Sequence, residues 1–314
     1  MLYVDKDNAH PPSIEIAKAK RVLKNTDGVE VCYDSLGQLQ EASQLIPHLW
    51  DSLGADQGWL CVYCMRCIAV QPVSGVSRKM HNEHYIPRHQ DYEGYEEARR
   101  HGKEAELPYP QYTQADLDRH SLDYRNLFAV CDGKYQKDEK ASARDGHRAP
   151  HRKEDEESSG PKVTCDTLRG NSKLTVDPRR KDHIDSLSYG KFDATLSSSI
   201  PEVNDDINVR LNLNYHWLKE ERAMALVGLY QWFEKNASER DFPRKCRERL
   251  QELQQGKDGK LQPFAPMLIW ALKKSKCRRL PAAPAPYLRS RGHTVRLFPA
   301  ESCGCGGAVC PESC

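Results

Sequence analysis

The sequence predicts a mixed α+β protein, and three observations support that fold class. Apolar residues recur at helical spacing on both sides of a cysteine-rich segment, residues 59–174. Inside this segment the short apolar run from Leu127 to Cys131 is typical of a buried strand. Several of the 12 cysteines are clustered there, as expected of metal ligands in a reducing compartment. The expected architecture is a metal-stapled core flanked by helices.

Helices are predicted on both sides of this core. An N-terminal helical segment, residues 1–58, contains a charged helix candidate at residues 13–24 and regularly spaced leucines at residues 34–53. The core is expected to span residues 59–200, and a C-terminal helical region follows at residues 201–280. The helices predicted in that region cover three ranges: residues 212–235, 242–255 and 266–276.

Two stretches of the chain are predicted to be disordered. Residues 132–160 contain almost no large apolar side chains, so they cannot bury enough surface to become ordered and are expected to form an insert in the core. Residues 281–314 begin with repeated proline and alanine and end in a glycine-rich run, which is typical of a disordered tail. The alternative is a second metal site in that tail, with these ligands: Cys303, Cys305, Cys310 and Cys314.

The overall composition indicates an intracellular protein without a membrane span. The 314 residues carry a net charge of +2, contain no apolar run long enough to cross a bilayer, and begin without a signal-peptide pattern. We therefore expect a cytoplasmic protein. Between residues 244 and 292 basic residues greatly outnumber acidic ones, which favours either a polyanion-binding surface or solvated helix faces.

The spacing of the cysteines predicts a zinc site. Cys61 and Cys64 are separated by two residues, a spacing that lets both thiolates bind one ion. A zinc ion needs two further ligands, and Cys131 and Cys165 are the best candidates because the polar insert between them can loop out. Cys67 is an alternative ligand, since it repeats the same spacing after Cys64. The competing interpretation is a buried cysteine pair without metal.

An adjacent carboxylate and imidazole, Glu83 and His84, predict hydrolytic chemistry. In phosphodiester hydrolysis a carboxylate can hold a divalent cation while an imidazole deprotonates water. Consecutive side chains of a strand point to opposite faces, so both groups reach one site only if the strand twists or ends there. Pro87 favours such an ending.

Further polar residues flank the candidate strand and the last predicted zinc ligand. Asn126 stands just before the apolar strand, where it either serves the site or caps a turn. Asp166 directly follows Cys165 and is either a metal ligand or a helix N-cap. Arg88 and Arg169 either bind phosphate oxygens or are solvated charges.

These motifs occur in a recognisable order along roughly residues 1–278: Trp59-Leu60-Cys61-Val62-Tyr63-Cys64, Glu83-His84, Tyr124-Arg125-Asn126-Leu127, Cys165-Asp166 with Arg169-Gly170, Leu211-Asn212-Leu213-Asn214, and Pro263-Phe264 with Ile269-Trp270. Together they resemble the zinc-stapled HNH endonucleases, and more narrowly the PtuB-type nuclease subunit of Septu and retron anti-phage defence systems. The resemblance leaves the tail outside. It implies a ββα-metal fold, in which a β-hairpin and a helix grip one catalytic metal.

The resemblance also implies a role for each motif residue. His84 is the expected general base, Glu83 the metal ligand beside it, and Asn126 the residue that orients the loop carrying the base. Asp166 stands where the family has His or Asn, so an aspartate ligand departs from the pattern, although it suits Mg²⁺ or Mn²⁺ chemically. The expected phosphate-binding residues are Arg88 and Arg169. The expected ligands of a structural Zn²⁺ are Cys61, Cys64, Cys131 and Cys165.

The expected function is DNA hydrolysis by the nuclease effector of a defence system. A PtuA-like ABC-type ATPase is the implied partner, and any ATP hydrolysis must come from it because this chain contains no Walker motif. RNA, including tRNA, is an alternative substrate, since this chemistry does not need a 2′-hydroxyl. A zinc-stapled nucleic-acid-binding or adaptor protein without catalysis is an alternative of a different class. The adjacent Glu83 and His84 argue against it, because a pure binder needs no general base beside a carboxylate.

Overall fold

The computed structural model describes residues 1–6, 33, 42–73, 77–88, 100–102, 112–134, 161–238 and 240–275. Its strands are β1 (Ile68–Ala69), β2 (Arg78–His84), β3 (Leu127–Cys131), β4 (Leu187–Tyr189) and β5 (Leu196–Ser198). Its α-helices are α1 (Ala42–Asp56), α2 (Gln114–Ser121), α3 (Cys165–Arg169), α4 (Lys181–Asp185), α5 (Pro201–Asp205), α6 (His216–Asn236), α7 (Phe242–Gln255) and α8 (Ala265–Lys274). A 3₁₀ turn (Tyr124–Asn126) precedes β3, and a π-helical turn (Asp206–Arg210) follows α5. The protein is therefore of mixed α+β class, as predicted.

β2 is the central strand of a three-stranded sheet. β1 pairs with it in parallel, and β3 pairs with it in the antiparallel direction. In the antiparallel register Met80 lies opposite Cys131 and His84 lies opposite Leu127. Every residue of β3 is buried, as its apolar sequence predicts, and α3 packs against this strand. Two antiparallel strands and a short helix thus form a unit that holds His84 at one end and Cys131 at the other.

The turn that follows α1 is fastened to β3 by both backbone and side-chain hydrogen bonds. The N–H of Val62 donates to the carbonyl of Ala129 in β3 at 3.2 Å. The buried Gln57 donates from Nε2 to the carbonyls of Leu60 and Ala129, and its Oε1 accepts from the N–H of Ala129, each at 2.8 Å. A single side-chain amide therefore joins the turn to the strand.

Residues 1–6 of the predicted helical segment, residues 1–58, are not in a helix, and several of their side chains belong to the core. The N–H of Leu2 donates to the carbonyl of Val62 at 2.9 Å, and the N–H of Val4 donates to that of Pro178 at 3.0 Å. The side chains of Leu2 and Val4 are buried. α1 covers the later part of the pattern predicted at residues 34–53, whereas the helix candidate at 13–24 lies outside the described residues.

The C-terminal region is helical, with boundaries close to those predicted. α7 has the predicted bounds, and α8 begins one residue before the predicted range and ends two residues before its end. α6 begins at His216 rather than at Asn212, because Asn212 has a left-handed φ of 47°. The side chain of Asn214 then accepts from the N–H of Leu196 and donates to its carbonyl, both at 2.8 Å. These side-chain bonds occupy the stretch that the apolar pattern assigns to a helix.

The β4–β5 hairpin was not predicted, and buried Arg222 on α6 connects it to the helices. The guanidinium donates to the carbonyl of Ala194 at 3.0 Å and to that of Leu213 at 2.7 Å. It also donates to Oδ1 of Asn214 at 3.1 Å. Three-residue strands are too short to show a recognisable alternation, so their position depends on such tertiary bonds.

Two of the regions predicted from composition are largely beyond the described structure. Of the insert predicted at residues 132–160, the structure describes residues 132–134, and the tail from residue 281 lies outside it. Across the parts of the chain that are described, no helix combines the length and the apolar character needed to cross a membrane.

Candidate metal centre and active site

Four fully buried cysteines form one cluster, called the tetrathiolate cluster below: Cys61, Cys64, Cys131 and Cys165. Their Sγ atoms all lie within 4.8 Å of one another, and three of the sulfur–sulfur distances are 3.6, 3.7 and 3.9 Å. A tetrahedral zinc ion with Zn–S bonds of about 2.3 Å separates its sulfurs by about 3.8 Å. The donor set and its spacing therefore fit a four-coordinate metal such as zinc.

Three separate elements supply the members of the tetrathiolate cluster. Cys61 and Cys64 lie on the turn after α1, Cys131 ends β3, and Cys165 begins α3. Cys165 has a left-handed φ of 56°, an uncommon conformation for a residue other than glycine, and its N–H donates to a carbonyl in the turn after the π-helix. Cys67, the alternative ligand, is buried but lies outside the cluster.

The two ends of the predicted insert meet beside the cluster. The carbonyl of Gly133 accepts hydrogen bonds from the N–H of Thr164 at 3.0 Å and from its Oγ1 at 3.2 Å. Gly133 has a left-handed φ of 61°, and a Cβ added to it would lie 2.0 Å from the Thr164 carbonyl oxygen. Glycine is therefore required at this position, and the closure brings Cys131 and Cys165 together.

Burial raises the pKa of the Cys61 and Cys165 thiols well above the usual value, because a thiolate is poorly stabilised where water is excluded. A divalent cation acts in the opposite direction, since thiols deprotonate when they bind a metal. In this cluster metal binding and proton release are therefore coupled.

His84, the predicted general base, is held in a defined orientation at the end of β2. Its Nε2 lies 3.0 Å from the backbone carbonyl of Ser121, the last residue of α2. A carbonyl oxygen can only accept a hydrogen bond, so Nε2 carries the proton and donates it. In the neutral ring Nδ1 is then the unprotonated nitrogen, which is the form that a general base requires.

Tyr33 packs against the imidazole of His84 and was not predicted as a site residue. The two rings meet edge to face, with centroids 4.7 Å apart. The backbone N–H of Tyr33 donates to Oγ of Ser121 at 3.1 Å, and its hydroxyl accepts from Nδ2 of Asn82 at 2.8 Å. The guanidinium carbon of Arg88 lies 5.1 Å from the centroid of the tyrosine ring. One aromatic side chain thus contacts both the candidate base and a candidate phosphate-binding residue.

Asn126 fastens the loop that follows His84. Its side chain accepts from the N–H of Ile86 at 2.6 Å and donates to the carbonyls of Ile86 and His120, both at 3.0 Å. Its own backbone carbonyl accepts from the N–H of Tyr85 at 2.8 Å. This is the geometry that an orienting residue needs, because the loop is tied both to the start of β3 and to the end of α2.

Glu83 lies in a different environment from its neighbour His84. The carboxylate is almost completely buried, forms an ion pair with Arg169, and accepts a hydrogen bond from the hydroxyl of Tyr63 at 3.1 Å. The guanidinium of Arg169 also donates to the carbonyls of His84 at 3.2 Å and Tyr85 at 2.6 Å. We call this group of side chains, Glu83, Arg169 and Tyr63, the Glu83 clasp. It holds the backbone on which the candidate base is carried.

The clasp changes the interpretation of both of its charged members. Arg169 is only 2% exposed, and its Nε is also taken by the carbonyl of Ser172 at 2.9 Å. A buried guanidinium with these partners is poorly placed to reach a substrate phosphate, and its contacts instead hold the backbone of His84 and Tyr85. Glu83 was expected to bind a cation, but in this arrangement its charge is already neutralised by Arg169.

Asp166, by contrast, interacts electrostatically with the candidate base. It is the second residue of α3 and is half-buried. Burial raises the pKa of its carboxyl group, while His81, His84 and Arg88 are near enough to lower it. This carboxylate therefore shares the environment of the predicted base and of one predicted phosphate-binding arginine.

Tyr63 and Ser121 also have functional contacts that the sequence did not indicate. Tyr63 could have been suspected, because it lies between two of the predicted zinc ligands and directly precedes Cys64. Ser121 contacts His84 through a backbone carbonyl, which has no sequence signal. Such contacts depend on how α2 packs against the end of β2.

The tetrathiolate cluster is the only group of three or more potential metal ligands that lie close together within the described ranges. Glu83 and Asp166 therefore do not belong to a second group of three or more such ligands there. No protein-family model and no curated protein matches the chain in sequence. The chemistry of the site is consequently inferred from its own residues.

Proposed function

We propose that the protein is a metal-dependent HNH-type endonuclease that hydrolyses phosphodiester bonds of DNA as the effector of an anti-phage defence system. The observation that carries this proposal is the state of His84. Its Nε2 proton is directed at the Ser121 carbonyl 3.0 Å away, which leaves Nδ1 free of a proton in the neutral ring. A zinc module that only binds or supports would not need an imidazole held in this way.

The order of the elements around His84 supports the same proposal. β2 ends at His84, Asn126 directly precedes the antiparallel strand β3, and α3 begins at Cys165 and Asp166. This succession is the one expected of a ββα-metal nuclease core. In the proposal a structural zinc at the tetrathiolate cluster fixes the two strands to the helix.

In the proposed mechanism His84 removes a proton from the attacking water. Nδ1 accepts this proton, and the Ser121 carbonyl stabilises the positive charge that develops on the ring through its bond to Nε2–H. Asn126 holds the loop that follows, and Arg169 holds the carbonyls of His84 and Tyr85. The ring is thereby kept in one orientation for the reaction.

A catalytic Mg²⁺ or Mn²⁺ fits Asp166 better than Glu83. Asp166 is a hard oxygen donor beside the candidate base, and Mg²⁺ is commonly bound through one or two carboxylates together with substrate phosphate. When bound, the ion supplies positive charge that polarises the scissile phosphate and stabilises the leaving oxygen. We therefore assign the ion to Asp166 and give Glu83, whose charge is already paired with Arg169, a positioning role.

Arg88 is the proposed phosphate-binding residue. Its guanidinium packs over the Tyr33 ring and acts electrostatically on Asp166, so it lies on the same side of the site as the candidate base. A PtuA-like ABC-type ATPase as partner, and a docking surface for it on the C-terminal helices, are proposed from the resemblance alone. A cytoplasmic location is proposed from the composition and from the lack of a signal-peptide pattern.

Cleavage of plasmid DNA by the purified full chain in the presence of Mg²⁺ tests the proposal. We expect a His84→Ala variant to lose cleavage by about 100-fold or more, because a general base contributes about 10²–10⁴-fold. His48→Ala is the matched control, since His48 is an exposed histidine on α1 and is not among the residues of the candidate site. Equal cleavage by wild type and His84→Ala, with unchanged zinc content, would overturn the proposal.

RNA, including tRNA, is the alternative substrate of the same chemistry. Parallel incubations with plasmid DNA and with total tRNA distinguish the two substrates. Loss of tRNA cleavage in His84→Ala without any DNA cleavage would retain the mechanism and change the target.

The second candidate function is a nucleic-acid-binding or adaptor protein without catalysis, and one observation supports it. Glu83 is paired with Arg169, and the described residues contain no second preassembled group of metal ligands. If this alternative is correct, nucleic acid binds equally with and without Mg²⁺, and neither DNA nor RNA is cleaved.

A further inference from the structure

Arg66 lies directly against the sulfurs of the tetrathiolate cluster. Its Nε donates to Sγ of Cys64 and its Nη2 donates to Sγ of Cys131, both at 3.4 Å. The residue is only 6% exposed. A guanidinium presents several N–H donors in a rigid planar fork, so one side chain can bind two sulfurs at the same time.

The two sulfurs that Arg66 contacts belong to different elements. Cys64 lies on the turn after α1, and Cys131 is the last residue of β3. The backbone of Arg66 closes the turn as well, because its carbonyl accepts from the N–H of Cys61 at 2.9 Å. Arg66 thus joins a strand ligand to a turn ligand independently of any bond to a metal.

The charge of Arg66 suits a metal centre of this kind. Four thiolates around one divalent ion carry a net negative charge, and a buried charge of this sort needs a partner or hydrogen bonds. Groups that bind the ligands of a metal site fix their orientation and tune the affinity for the metal. A buried arginine that donates to two thiolates provides both effects.

Arg66 is in turn placed beside α6. Oε2 of Glu221 on that helix lies 4.0 Å from Nε of Arg66, and Oε1 of Glu221 lies 3.6 Å from Nη2 of Arg78 on β2. Both arginines therefore share one carboxylate, but only Arg66 has sulfur contacts among the described hydrogen bonds of this pair. Arg78 is consequently a matched control for the charge interaction with α6.

We propose that Arg66 is a positioning residue of the metal centre, which retains the bound ion through its hydrogen bonds to Cys64 and Cys131. Glu221 holds the guanidinium in place, so retention of the metal is coupled to the packing of α6. The inference concerns metal retention and does not depend on nuclease activity. A protein that proves to be no nuclease leaves it intact.

The rate of zinc release from the loaded full chain to a chromophoric chelator tests this inference. We expect Arg66→Met to release zinc about 10- to 100-fold faster, as is usual when a group that binds metal ligands is removed. Arg66→Lys keeps the charge and one donor but loses the fork, so it should restore part of the retention. Glu221→Gln should release zinc faster than wild type but more slowly than Arg66→Met, and Arg78→Met should remain close to wild type.

Cobalt substitution provides a readout that a general loss of stability does not produce. Hydrogen bonds lower the energy of the sulfur lone pairs, so the sulfur-to-cobalt charge-transfer band should move to lower energy when Arg66 is replaced by Met. The band of Arg78→Met should not move.

Two results would overturn the inference. The first is wild-type zinc release together with an unshifted cobalt band in Arg66→Met. The second is equal acceleration in Arg78→Met, because the effect would then arise from the loss of a Glu221 partner rather than from the sulfur bonds. If Arg66→Met does not fold, Arg66→Lys decides the matter, since wild-type release and an unshifted band in that variant contradict the inference.

Discussion

At the scale of single residues, the ion pair between Glu83 and Arg169 is isolated from water. Both side chains are almost fully buried, so neither charge is screened by solvent. Removing two charges from water costs several kcal/mol for each, and the loss is offset only while the two remain paired and hydrogen-bonded. The energetic effect of a substitution therefore depends mainly on the charge left behind.

We expect Glu83→Gln to lower the free energy of unfolding by about 3–5 kcal/mol, because the Arg169 charge remains buried without a countercharge. The double variant Glu83→Gln with Arg169→Met should lose less than the sum of the single losses. Tyr63→Phe, which removes one neutral donor to Glu83, should cost about 1 kcal/mol. Urea unfolding measures the loss for each single variant, including Arg169→Met, and for the double variant. A loss in the double variant equal to the sum of the losses for Glu83→Gln and Arg169→Met would contradict the predicted coupling.

Lys6 is a second buried charge, and it predicts a pH dependence of stability. Burial lowers its pKa from 10.5 to about 8, although Asp56 at 3.8 Å acts in the opposite direction. The unfolded chain therefore binds more protons than the folded chain between these two values, so the free energy of unfolding rises with pH across this window. The rise due to Lys6 should be about 3 kcal/mol.

Lys6→Met should remove this rise, and Lys79→Met should retain it because Lys79 is exposed on β2. Urea unfolding at a series of pH values between 8 and 10.5 measures the effect. A wild-type curve parallel to that of Lys6→Met would show that Lys6 keeps its usual pKa.

At the scale of elements, the junction between β3 and α3 depends on Gly133. Gly133→Ala places a methyl group against the Thr164 carbonyl in addition to the strain of a left-handed backbone. We expect this variant to lower the melting temperature and to accelerate zinc loss, because Thr164 directly precedes Cys165. Gly259→Ala is the control, since Gly259 is also left-handed but has open space around it. Its cost should be limited to about 1 kcal/mol of backbone strain without faster zinc loss.

The sequence predicts a helix or strand well where the apolar residues within that element determine it. α7 has the predicted bounds, and β3 is the buried strand that its apolar residues indicate. The conformation of the first residues and the start of α6 at His216 rather than Asn212 could not be predicted from an apolar pattern. Both depend on hydrogen bonds with distant partners, as between Leu2 and Val62 or between Asn214 and Leu196.

The candidate site was likewise predictable only in part from the sequence. The four cysteines of the tetrathiolate cluster were predicted correctly, although their spacing alone left Cys67 as an alternative ligand and the resemblance was needed to choose between them. The partners of Glu83 and Arg169 were not predictable, because a cation one turn after Asp166 has the same sequence pattern whether it faces solvent or the core. The contact of Tyr33 with His84 joins distant parts of the chain and had no sequence signal.

At the scale of the whole molecule, the tetrathiolate cluster connects regions that are far apart in sequence. The turn after α1, the end of β3 and the start of α3 meet at the four sulfurs. The four cysteines belong to the same hydrophobic core as the N-terminal residues Met1, Leu2 and Val4. A metal bound there stabilises the folded chain relative to the unfolded chain, in which the ligands are dispersed.

Removal of zinc by a chelator under reducing conditions should therefore unfold the core or lower its melting temperature sharply. Cys165→Ser should lose zinc in the same way, because one of four ligands is replaced. Cys246→Ser is the control, since Cys246 is buried on α7 and outside the cluster. Metal analysis combined with circular dichroism measures both effects, and a melting temperature unaffected by zinc removal would contradict a structural metal.

The hydrogen bonds between Gly133 and Thr164 also bear on how far the length of the chain between these two residues can change. Hydrogen bonds between Gly133 and Thr164 join two described segments of the chain next to the cluster members Cys131 and Cys165. The entropic cost of closing a loop grows only slowly with its length. We therefore expect the metal centre to tolerate a longer chain between these two residues at a small entropic cost.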